Sequence, residues 1–482
     1  MHEATLITFI VYLILMLVIG FISYRLTKNL SDYVLGGRNL GPGVTALSAG
    51  ASDMSSWLLL GLPGSAYLSG MNALWITVGL AIGAYLNWQF VARRLRAYTE
   101  ISNNSITIPD FLENRFKDRS KILRITSAVV ILIFFTLYIS SGMVGGAILF
   151  ENSFGLSYSS ALWIGALVIV SYTFLGGFLA VSWTDFVQGI LMFLALVIVP
   201  IVALTEMGGI GETIDRVASI DPTYLDAAAN TTFIGVVSLL AWGLGYFGQP
   251  HILARFMAIK SVKDIPTARL IGMTWMILAA LGAVFTGFVG IAYFADVSLA
   301  NPEIVFIEFT QVLFDPWVSG FLLAAILAAI MSTIDSQLLV SSSAVVEDFY
   351  KSLYKKQAGD RELVWISRLS VVIIAIIAIL LASNPESSVL ELVSYAWAGF
   401  GAAFGPVILF SLFWKRMNGS GAVAGLFVGA LTVMLWKNAE GGLFDLYEIV
   451  PGFIFASLAI VIVSLVGEKP SKEIENEFEQ VK

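Results

Sequence analysis

Apolar stretches of about 20 residues recur along this chain, and each is long enough to cross a bilayer as a helix. Hydrophobic residues make up 58% of the 482 residues and charged residues only 13%, against roughly 25% in an ordinary soluble domain. Thirteen such stretches lie near residues 5–25, 44–70, 72–92, 124–149, 159–179, 184–205, 232–256, 269–294, 317–348, 366–383, 388–414, 420–436 and 447–467. The sequence therefore predicts an all-α polytopic membrane protein with 13 transmembrane helices. We expect residues 1–467 to form a single transmembrane domain and residues 468–482 a charged cytoplasmic tail.

The basic residues predict the orientation of these helices, because Lys and Arg accumulate in cytoplasmic loops. If successive helices alternate in direction from an external N-terminus, the 27 Lys and Arg residues, Arg255 included, all lie on the cytoplasmic side except Arg216 and Lys437. A helix count wrong by one would destroy this asymmetry. The N-terminus is therefore predicted to be outside and the C-terminus cytoplasmic. The first apolar run follows Glu3 and precedes Lys28, the reverse of a cleavable signal peptide, so we expect it to be retained.

Composition excludes several classes of function. The chain has no cysteine and only two histidines, so disulfides, thiolate catalysis and Cys- or His-rich metal sites are excluded. A net charge of −7 does not suggest a nucleic-acid partner. No clustered nucleophile, metal or acid–base set indicates an enzyme. A channel is disfavoured because no ring of repeated polar residues is present, and a sensor because the tail is too short for a signalling domain.

The second stretch, VTALSAGASDMSSWLLLGLPGSAYLSG (44–70), carries a carboxylate in a membrane segment. Residues that disfavour a continuous helix interrupt it, namely Gly50, Gly61, Pro63 and Gly64. An intramembrane carboxylate such as Asp53 marks an ion or substrate path by default. A broken helix also frees carbonyl oxygens, the ligands that Na⁺ needs in place of water. The alternatives are a soluble core segment, or a membrane helix whose Asp53 pairs with a distant cation.

Two further stretches carry similar signals. In YTFLGGFLAVSWTDFVQG (172–189), Asp185 is either an N-terminal cap of the following helix or part of the ion path. In VSLLAWGLGYFGQPHILARFM (237–257), three glycines precede Pro250, which would kink or end a helix. Trp242 and Tyr246 share a helix face at that break. Membrane aromatics are more often packing or interfacial anchors, but their place at a break favours contact with a ligand.

Breaks in the second and seventh stretches predict an internal repeat. Interrupted segments in corresponding positions of two halves are typical of inverted-repeat transporters. The two stretches are five positions apart in the helix order, so we expect repeats of helices 2–6 and 7–11, with helices 1, 12 and 13 as additions.

The ninth stretch, WVSGFLLAAILAAIMSTIDSQLLVSSSAVVEDF (317–349), contains adjacent hydroxyls well inside a long helix. Most of its Ser and Thr side chains are expected to bond the preceding turn. Ser332 and Thr333 are predicted instead to join carbonyls of the broken second helix in a five-oxygen cation site. Asp335 is a second buried carboxylate, which could pair with a cation or titrate.

A family resemblance follows from the segments ALSAGASDMSSWLLLGLPG, GGFLAVSWTDFVQ, WGLGYFGQPHILARFMA, AAIMSTIDSQLLV and LVSYAWAGFGAAFGP. The chain resembles the sodium/proline symporters of the sodium:solute symporter family from the first stretch to the thirteenth. The resemblance implies a leucine-transporter-type fold, and import of L-proline coupled to inward Na⁺ flow across the bacterial cytoplasmic membrane. It implies no cofactor beyond Na⁺ as coupling ion, and no partners beyond proline, Na⁺ and the lipid bilayer. The alternative is another small amino or organic acid as substrate, or a channel or transporter-derived sensor.

The resemblance also implies roles for individual residues. The sodium ligands would be the carbonyls of Ala51, Met54 and Ala329 and the hydroxyls of Ser332 and Thr333. Sodium coupling would involve Asp53 and Asp185, and a second cation would use Asp335 and Ser336. The substrate would contact Ser55, Ser56, Trp57, Tyr138, Trp242, Tyr246 and Pro250. One departure concerns the substrate, because the family's proline carriers have Gly where this chain has Ser56.

Overall fold

The described chain is helical apart from turns and one isolated pairing between Leu40 and Ile259. The structure is a computed structural model that describes residues 3–26, 30–173, 177–229, 231–355 and 357–481. Lys28, Lys356 and Lys482, which the orientation argument used, lie outside these ranges, as do residues 174–176 of the Asp185 stretch.

The α-helices are numbered in chain order as α1 (Glu3–Leu26), α2 (Leu30–Leu35), α3 (Pro42–Asp53), α4 (Gly61–Ser69), α5 (Leu74–Leu86), α6 (Arg93–Ile101), α7 (Ile108–Phe116), α8 (Ile122–Phe154), α9 (Tyr158–Thr173), α10 (Phe178–Glu206), α11 (Ile210–Ile220), α12 (Phe233–Leu240), α13 (Pro250–Ala258), α14 (Ile265–Tyr293), α15 (Val305–Leu313), α16 (Pro316–Ser343), α17 (Asp360–Leu381), α18 (Val389–Phe413), α19 (Gly419–Trp436), α20 (Ile449–Val466) and α21 (Lys472–Gln480). Short 3₁₀ segments cover Gly36–Arg38, Ser56–Leu58, Gly70–Ala73, Pro222–Leu225, Ala241–Gly248, Val262–Asp264, Pro302–Ile304 and Gly442–Asp445. Two π-helical segments, Asn87–Ala92 and Ala344–Tyr354, continue α5 and α16.

The described chain has ten helices long and apolar enough to cross a membrane, or eleven if one bent pair is a single span. Helix is found within every one of the thirteen predicted stretches. The prediction of an all-α, multi-pass membrane protein is therefore confirmed. The count of thirteen spans stays a prediction, because α3, α4 and α9 have only 12, 9 and 16 residues, fewer than the roughly 20 of a straight span.

The second predicted stretch is a broken helix, as expected. α3 ends at Asp53 and α4 begins at Gly61. Between them Ser55 has a φ of 20°, in the positive range that residues other than glycine seldom adopt. Its Oγ accepts a hydrogen bond from the Trp57 amide at 3.3 Å, which stabilises the tight turn.

Three of the residues predicted to interrupt that helix, Gly50, Pro63 and Gly64, lie within α3 or α4 and not in the break between them. Gly50 lies inside α3, so its assignment as a helix interruption is wrong. A Cβ there would lie 2.8 Å from a ring carbon of Trp275, so the glycine makes room for α14. Pro63 lies in the first turn of α4, where a missing amide donor is tolerated. A Cβ on Gly64 would lie 3.1 Å from the Glu303 backbone, so this glycine also serves close packing.

The seventh stretch is broken at the predicted place. The helical segment Phe233–Gly248 and α13, which begins at Pro250, meet at 47°. Glycines fix the middle of this stretch against α5, because a Cβ on Gly83 would overlap the Gly243 carbonyl oxygen. The two backbones therefore touch directly, and the break is held in place by its neighbours.

Segments predicted to be cytoplasmic meet on one side of the helix bundle. Arg38 Nη1 donates to the Met257 carbonyl at 2.8 Å, and Lys117 Nζ lies 2.5 Å from Glu477 Oε1. The charged tail forms α21 and buries Phe478. The predicted grouping of these segments agrees with the structure, and the side of the membrane that they face stays a prediction.

Candidate functional site

Four of the five candidate sodium ligands meet where the end of α3 lies beside the middle of α16. The Ser332 hydroxyl donates to the Ala51 carbonyl at 2.8 Å and lies 3.1 Å from the Ala329 carbonyl oxygen. The Thr333 hydroxyl lies 3.4 Å from the same Ala51 oxygen. Ser332 thus bonds the preceding turn, but it also reaches across to another helix. All four residues are buried, and their oxygens are the kind of ligand that a hard cation prefers.

The fifth candidate, Met54, is the first residue of the break. Its carbonyl accepts the Leu58 amide at 3.3 Å. A carbonyl oxygen has two lone pairs, so one hydrogen bond leaves room for a second interaction. The next amide, of Ser55, donates to Thr333 Oγ1 at 3.1 Å. The backbone of the break is therefore bonded directly to α16.

Asp53 links the two broken helices. Its Oδ2 accepts a hydrogen bond from the Tyr246 hydroxyl at 2.6 Å, and its backbone carbonyl accepts one from Tyr138 at 3.2 Å. Asp53 is buried, and among the described residues its side chain meets a tyrosine and forms no ion pair. The alternative that Asp53 pairs with a distant cationic side chain is therefore wrong for this part of the chain.

Aromatic rings cluster beside the break. The Trp57 and Trp242 ring centroids are 5.8 Å apart, Trp242 stacks on Tyr447 at 5.7 Å, and Tyr246 meets the face of Trp397 edge-on at 5.2 Å. Trp242 and Tyr246 are buried, so they are not anchors at the lipid interface. Such a wall suits a flat apolar ring, and large aromatic side chains are typical of ligand pockets.

The other candidate substrate residues lie around this wall. Ser56 is buried, and its Oγ has no hydrogen-bond partner among the described residues. A Cβ on Gly145 of α8 would lie 2.7 Å from that Oγ, so Ser56 fills the space beside this glycine. Pro250 begins α13 on the far side of the second break, next to Gln249, whose side-chain amide donates to the Trp397 carbonyl at 3.3 Å.

Asp185 belongs to a buried ion pair. The α10 helix begins at Phe178, so Asp185 lies two turns inside it and the interpretation as an N-terminal cap is wrong. Asp185 Oδ2 accepts hydrogen bonds from Ser48 at 2.7 Å and from Arg255 at 3.1 Å. Arg255 itself lies in α13 and is fully buried, within the predicted stretch 232–256, and its place on the cytoplasmic side stays a prediction.

The two candidates for a second cation have different surroundings. Ser336 Oγ accepts a hydrogen bond from Arg255 at 2.6 Å. Asp335 is fully buried, and neither of its carboxyl oxygens has a hydrogen-bond partner among the described residues. The guanidinium group of Arg255 therefore already occupies Ser336, whereas Asp335 has no such partner among the described residues.

Sequence reasoning missed Ser48, Arg255, Trp397 and Tyr447. A charge inside an apolar stretch was the available signal for Arg255, because an intramembrane charge is costly without a partner. The other three had no signal of their own, since Ser, Trp and Tyr are ordinary residues of membrane helices.

The site's geometry agrees with comparisons to known proteins. The profile described as "Sodium:solute symporter family" matches residues 33–429. The chain belongs to the sodium:solute symporter family. It is 56% identical to the sodium/proline symporter of Escherichia coli, over 98% of this chain and 95% of that protein. It is 57% identical to the high-affinity proline transporter PutP of Bacillus subtilis, over 96% and 98%. Because members of the family are symporters, the chain is a transporter and not an enzyme.

A solved structure shares the fold. The substrate-bound, outward-open state of a Na⁺-coupled sialic acid symporter superposes with a TM-score of 0.82 at 21% identity, over 98% of this chain and 99% of that one. At this identity the likeness concerns the fold alone.

Proposed function

We propose that the chain imports L-proline across the bacterial cytoplasmic membrane, coupled to inward Na⁺ flow by alternating access. The observation that carries the proposal is the bond from Ser332 to Ala51, which joins two helices at a cluster of oxygens beside an aromatic wall. Relatives named for sodium and proline, more than half identical over nearly the full chain, support the same substrate and coupling ion.

The proposed architecture has thirteen transmembrane helices, an external N-terminus and a cytoplasmic C-terminus. Helices 2–6 and 7–11 form a leucine-transporter-type inverted repeat, with helices 1, 12 and 13 added and residues 468–482 as the tail. Breaks at residues 54–60 and at Gln249, in the second and seventh stretches, support this repeat.

For sodium we propose ligation by the carbonyls of Ala51, Met54 and Ala329 and by the hydroxyls of Ser332 and Thr333. The ion would replace hydrogen bonds between α3 and α16 by stronger ion–oxygen contacts and so tie the helices together. Asp53 would transmit this state to the substrate through Tyr246, and Asp185 would contribute charge nearby. Coupling between the two sites is reciprocal, so proline should also tighten sodium binding.

For proline we propose a pocket beside the break. The pyrrolidine ring would lie against the aromatic side chains, and the carboxylate would accept hydrogen bonds from backbone amides freed by the break. The residues proposed to surround it are Ser55, Ser56, Trp57, Tyr138, Trp242, Tyr246 and Pro250.

The test is uptake of labelled L-proline into proteoliposomes with and without an inward sodium gradient. We expect uptake at least about tenfold above the level without sodium, the response of an ion-coupled site. Liposomes without protein are the control. Sodium-driven uptake of another amino or organic acid, without uptake of proline, would retain the symporter and overturn its substrate. The absence of any sodium response would contradict the proposal itself.

One observation favours a substrate other than proline, namely the buried hydroxyl of Ser56, which has no hydrogen-bond partner among the described residues. A Ser56→Gly variant should change the preference among small substrates, because it opens the space beside Gly145 and removes one donor. We expect a change of about tenfold in the ratio of proline uptake to that of a polar competitor such as serine. Competition assays at fixed sodium measure it, and an unchanged ratio would exclude Ser56 from the pocket.

A further inference from the structure

Arg255 joins four helices through its guanidinium group. Its Nη2 donates to Asp185 of α10 at 3.1 Å and to Ser336 of α16 at 2.6 Å. Its Nε donates to Ser48 of α3 at 3.1 Å. Ser48 in turn donates to Asp185 at 2.7 Å, so these two side chains and Arg255 form a closed ring of hydrogen bonds, which Ser336 joins through Arg255.

The network lies one turn away from the candidate sodium site on the same two helices. Ser48 precedes Ala51 by three residues in α3, and Ser336 follows Ser332 by four in α16. Positions three or four apart lie on one helix face. The sodium oxygens and the network are therefore two successive links between α3 and α16, with the network nearer the predicted cytoplasmic ends.

All four network side chains are fully buried, so the network is inaccessible to solvent in this structure. A route to the cytoplasm between α3 and α16 would require these helices to separate, and separation would break the bond of Arg255 to Ser48 or its bond to Ser336. A guanidinium suits this position because its planar fork of donors bonds several partners at once, whereas an ammonium is a point charge.

We propose that Arg255 is a positioning residue for sodium coupling, which holds the cytoplasmic route closed and transmits sodium binding to that closure. Sodium and the network join the same two helices, so each favours the arrangement that the other needs, and the coupling is reciprocal. Arg255 also occupies Ser336, one of the two residues predicted to hold a second cation. This inference rests on the proposed sodium-coupled transport.

Asp335 offers the guanidinium a second partner when the route opens. It lies in α16 between Ile334 and Ser336 and is fully buried. Its carboxyl group interacts electrostatically with both Arg255 and Asp185. Its oxygens have no hydrogen bond from the described residues. Movement of Arg255 from Asp185 to Asp335 would therefore keep the charge paired, which lowers the cost of breaking a buried ion pair.

The absence of cysteine from the chain permits a direct test with one introduced thiol. The reporter is Thr45→Cys, a buried α3 position that lies three residues before Ser48, on the same helix face and on its predicted cytoplasmic side. Inside-out vesicles are treated with a membrane-impermeant maleimide, with sodium or with choline in its place. Only reporters that retain uptake are used. Ala422→Cys, fully buried between α19 and its neighbours, is the control for unfolding.

With Arg255 intact, sodium is expected to slow labelling of the reporter several-fold. In Arg255→Gln we expect labelling in sodium to be about tenfold faster and the sodium concentration for half-maximal protection to rise about tenfold, the reciprocal effect of one lost link. Arg255→Lys should lie between the two, because it keeps the charge but not the fork. Arg216→Gln, which removes an exposed cation on the opposite side, should behave like the parent.

The outcomes separate the two proposals. If sodium slows labelling in the parent and labelling in Arg255→Gln is the same as in the parent, the role of Arg255 is overturned and sodium coupling stays intact. If labelling in the parent is the same in sodium and in choline, the proposed function is overturned, and this inference with it. If Arg255→Gln also exposes the Ala422 reporter, the double variant Asp185→Asn/Arg255→Gln decides, since it leaves no unpaired charge of that ion pair. In that double variant, fast and sodium-insensitive labelling at position 45, without labelling at position 422, would support the proposal.

Discussion

Replacing Asp53 by Asn should reduce sodium-driven proline uptake by about 100-fold at low sodium. The carboxylate accepts a 2.6 Å hydrogen bond from Tyr246 and so connects the two broken helices. A hydrogen bond to a charged group contributes about 1.5–3 kcal/mol, which corresponds to roughly ten- to 100-fold in an equilibrium constant. Asn keeps the shape but removes the charge beside the cation oxygens, so we expect the upper end. Initial rates of labelled proline uptake across a sodium titration measure the change.

Tyr246→Phe is the matched control for Asp53→Asn. It removes the hydrogen bond itself, which Asn at position 53 can still accept through its amide oxygen, and leaves the carboxylate charge in place. We expect a smaller loss of about tenfold, mainly in the apparent affinity for proline, because the tyrosine is also proposed as a wall of the substrate pocket. Equal losses in both variants would assign the effect to the charge-assisted hydrogen bond alone. Normal sodium dependence in Asp53→Asn would exclude the carboxylate from coupling.

The glycine and proline residues within each stretch were enough to predict both broken helices. Backbone conformation depends on nearby residues, and a run of glycines ending at Pro250 disfavours a continuous helix whatever lies around it. The same reasoning misassigned Gly50, because a glycine inside a helix also serves close packing. Which use applies depends on a bulky neighbour such as Trp275, more than 200 positions away in the sequence.

Partners across helices were harder to predict than the elements themselves. The sequence marked Asp185 as a buried carboxylate but left its role open between a cap and an ion path. The structure gives it Arg255, which the basic-residue pattern had placed on the cytoplasmic side without a partner. Spacing along the chain determines which residues share a face of one helix, but not which face of another helix meets them. The pairing of Ser332 with Ala51 was expected from a resemblance to known carriers and not from spacing.

Replacing Ser332 by Ala should weaken apparent sodium affinity by about ten- to 100-fold and change proline affinity little at saturating sodium. The hydroxyl contributes one of five proposed sodium oxygens and the 2.8 Å bond to Ala51. Alanine fits the same volume closely, so little packing energy is lost in a fully buried position. Loss of one ligand from a small oxygen cage leaves the ion underligated, with an expected cost of about 1.5–3 kcal/mol. The measurement is proline uptake at fixed substrate over a sodium titration, together with proline KM at high sodium.

Ser342→Ala supplies a matched control in the same helix. Both serines are fully buried and both bond the carbonyl three residues before them, Ser332 to Ala329 at 3.1 Å and Ser342 to Leu339 at 3.0 Å. Only Ser332 reaches across to α3. If back-bonding within α16 were the important contact, the two variants would have similar sodium titrations. A shift confined to Ser332→Ala would locate the effect in the link between the two helices, since that contact alone distinguishes the serines.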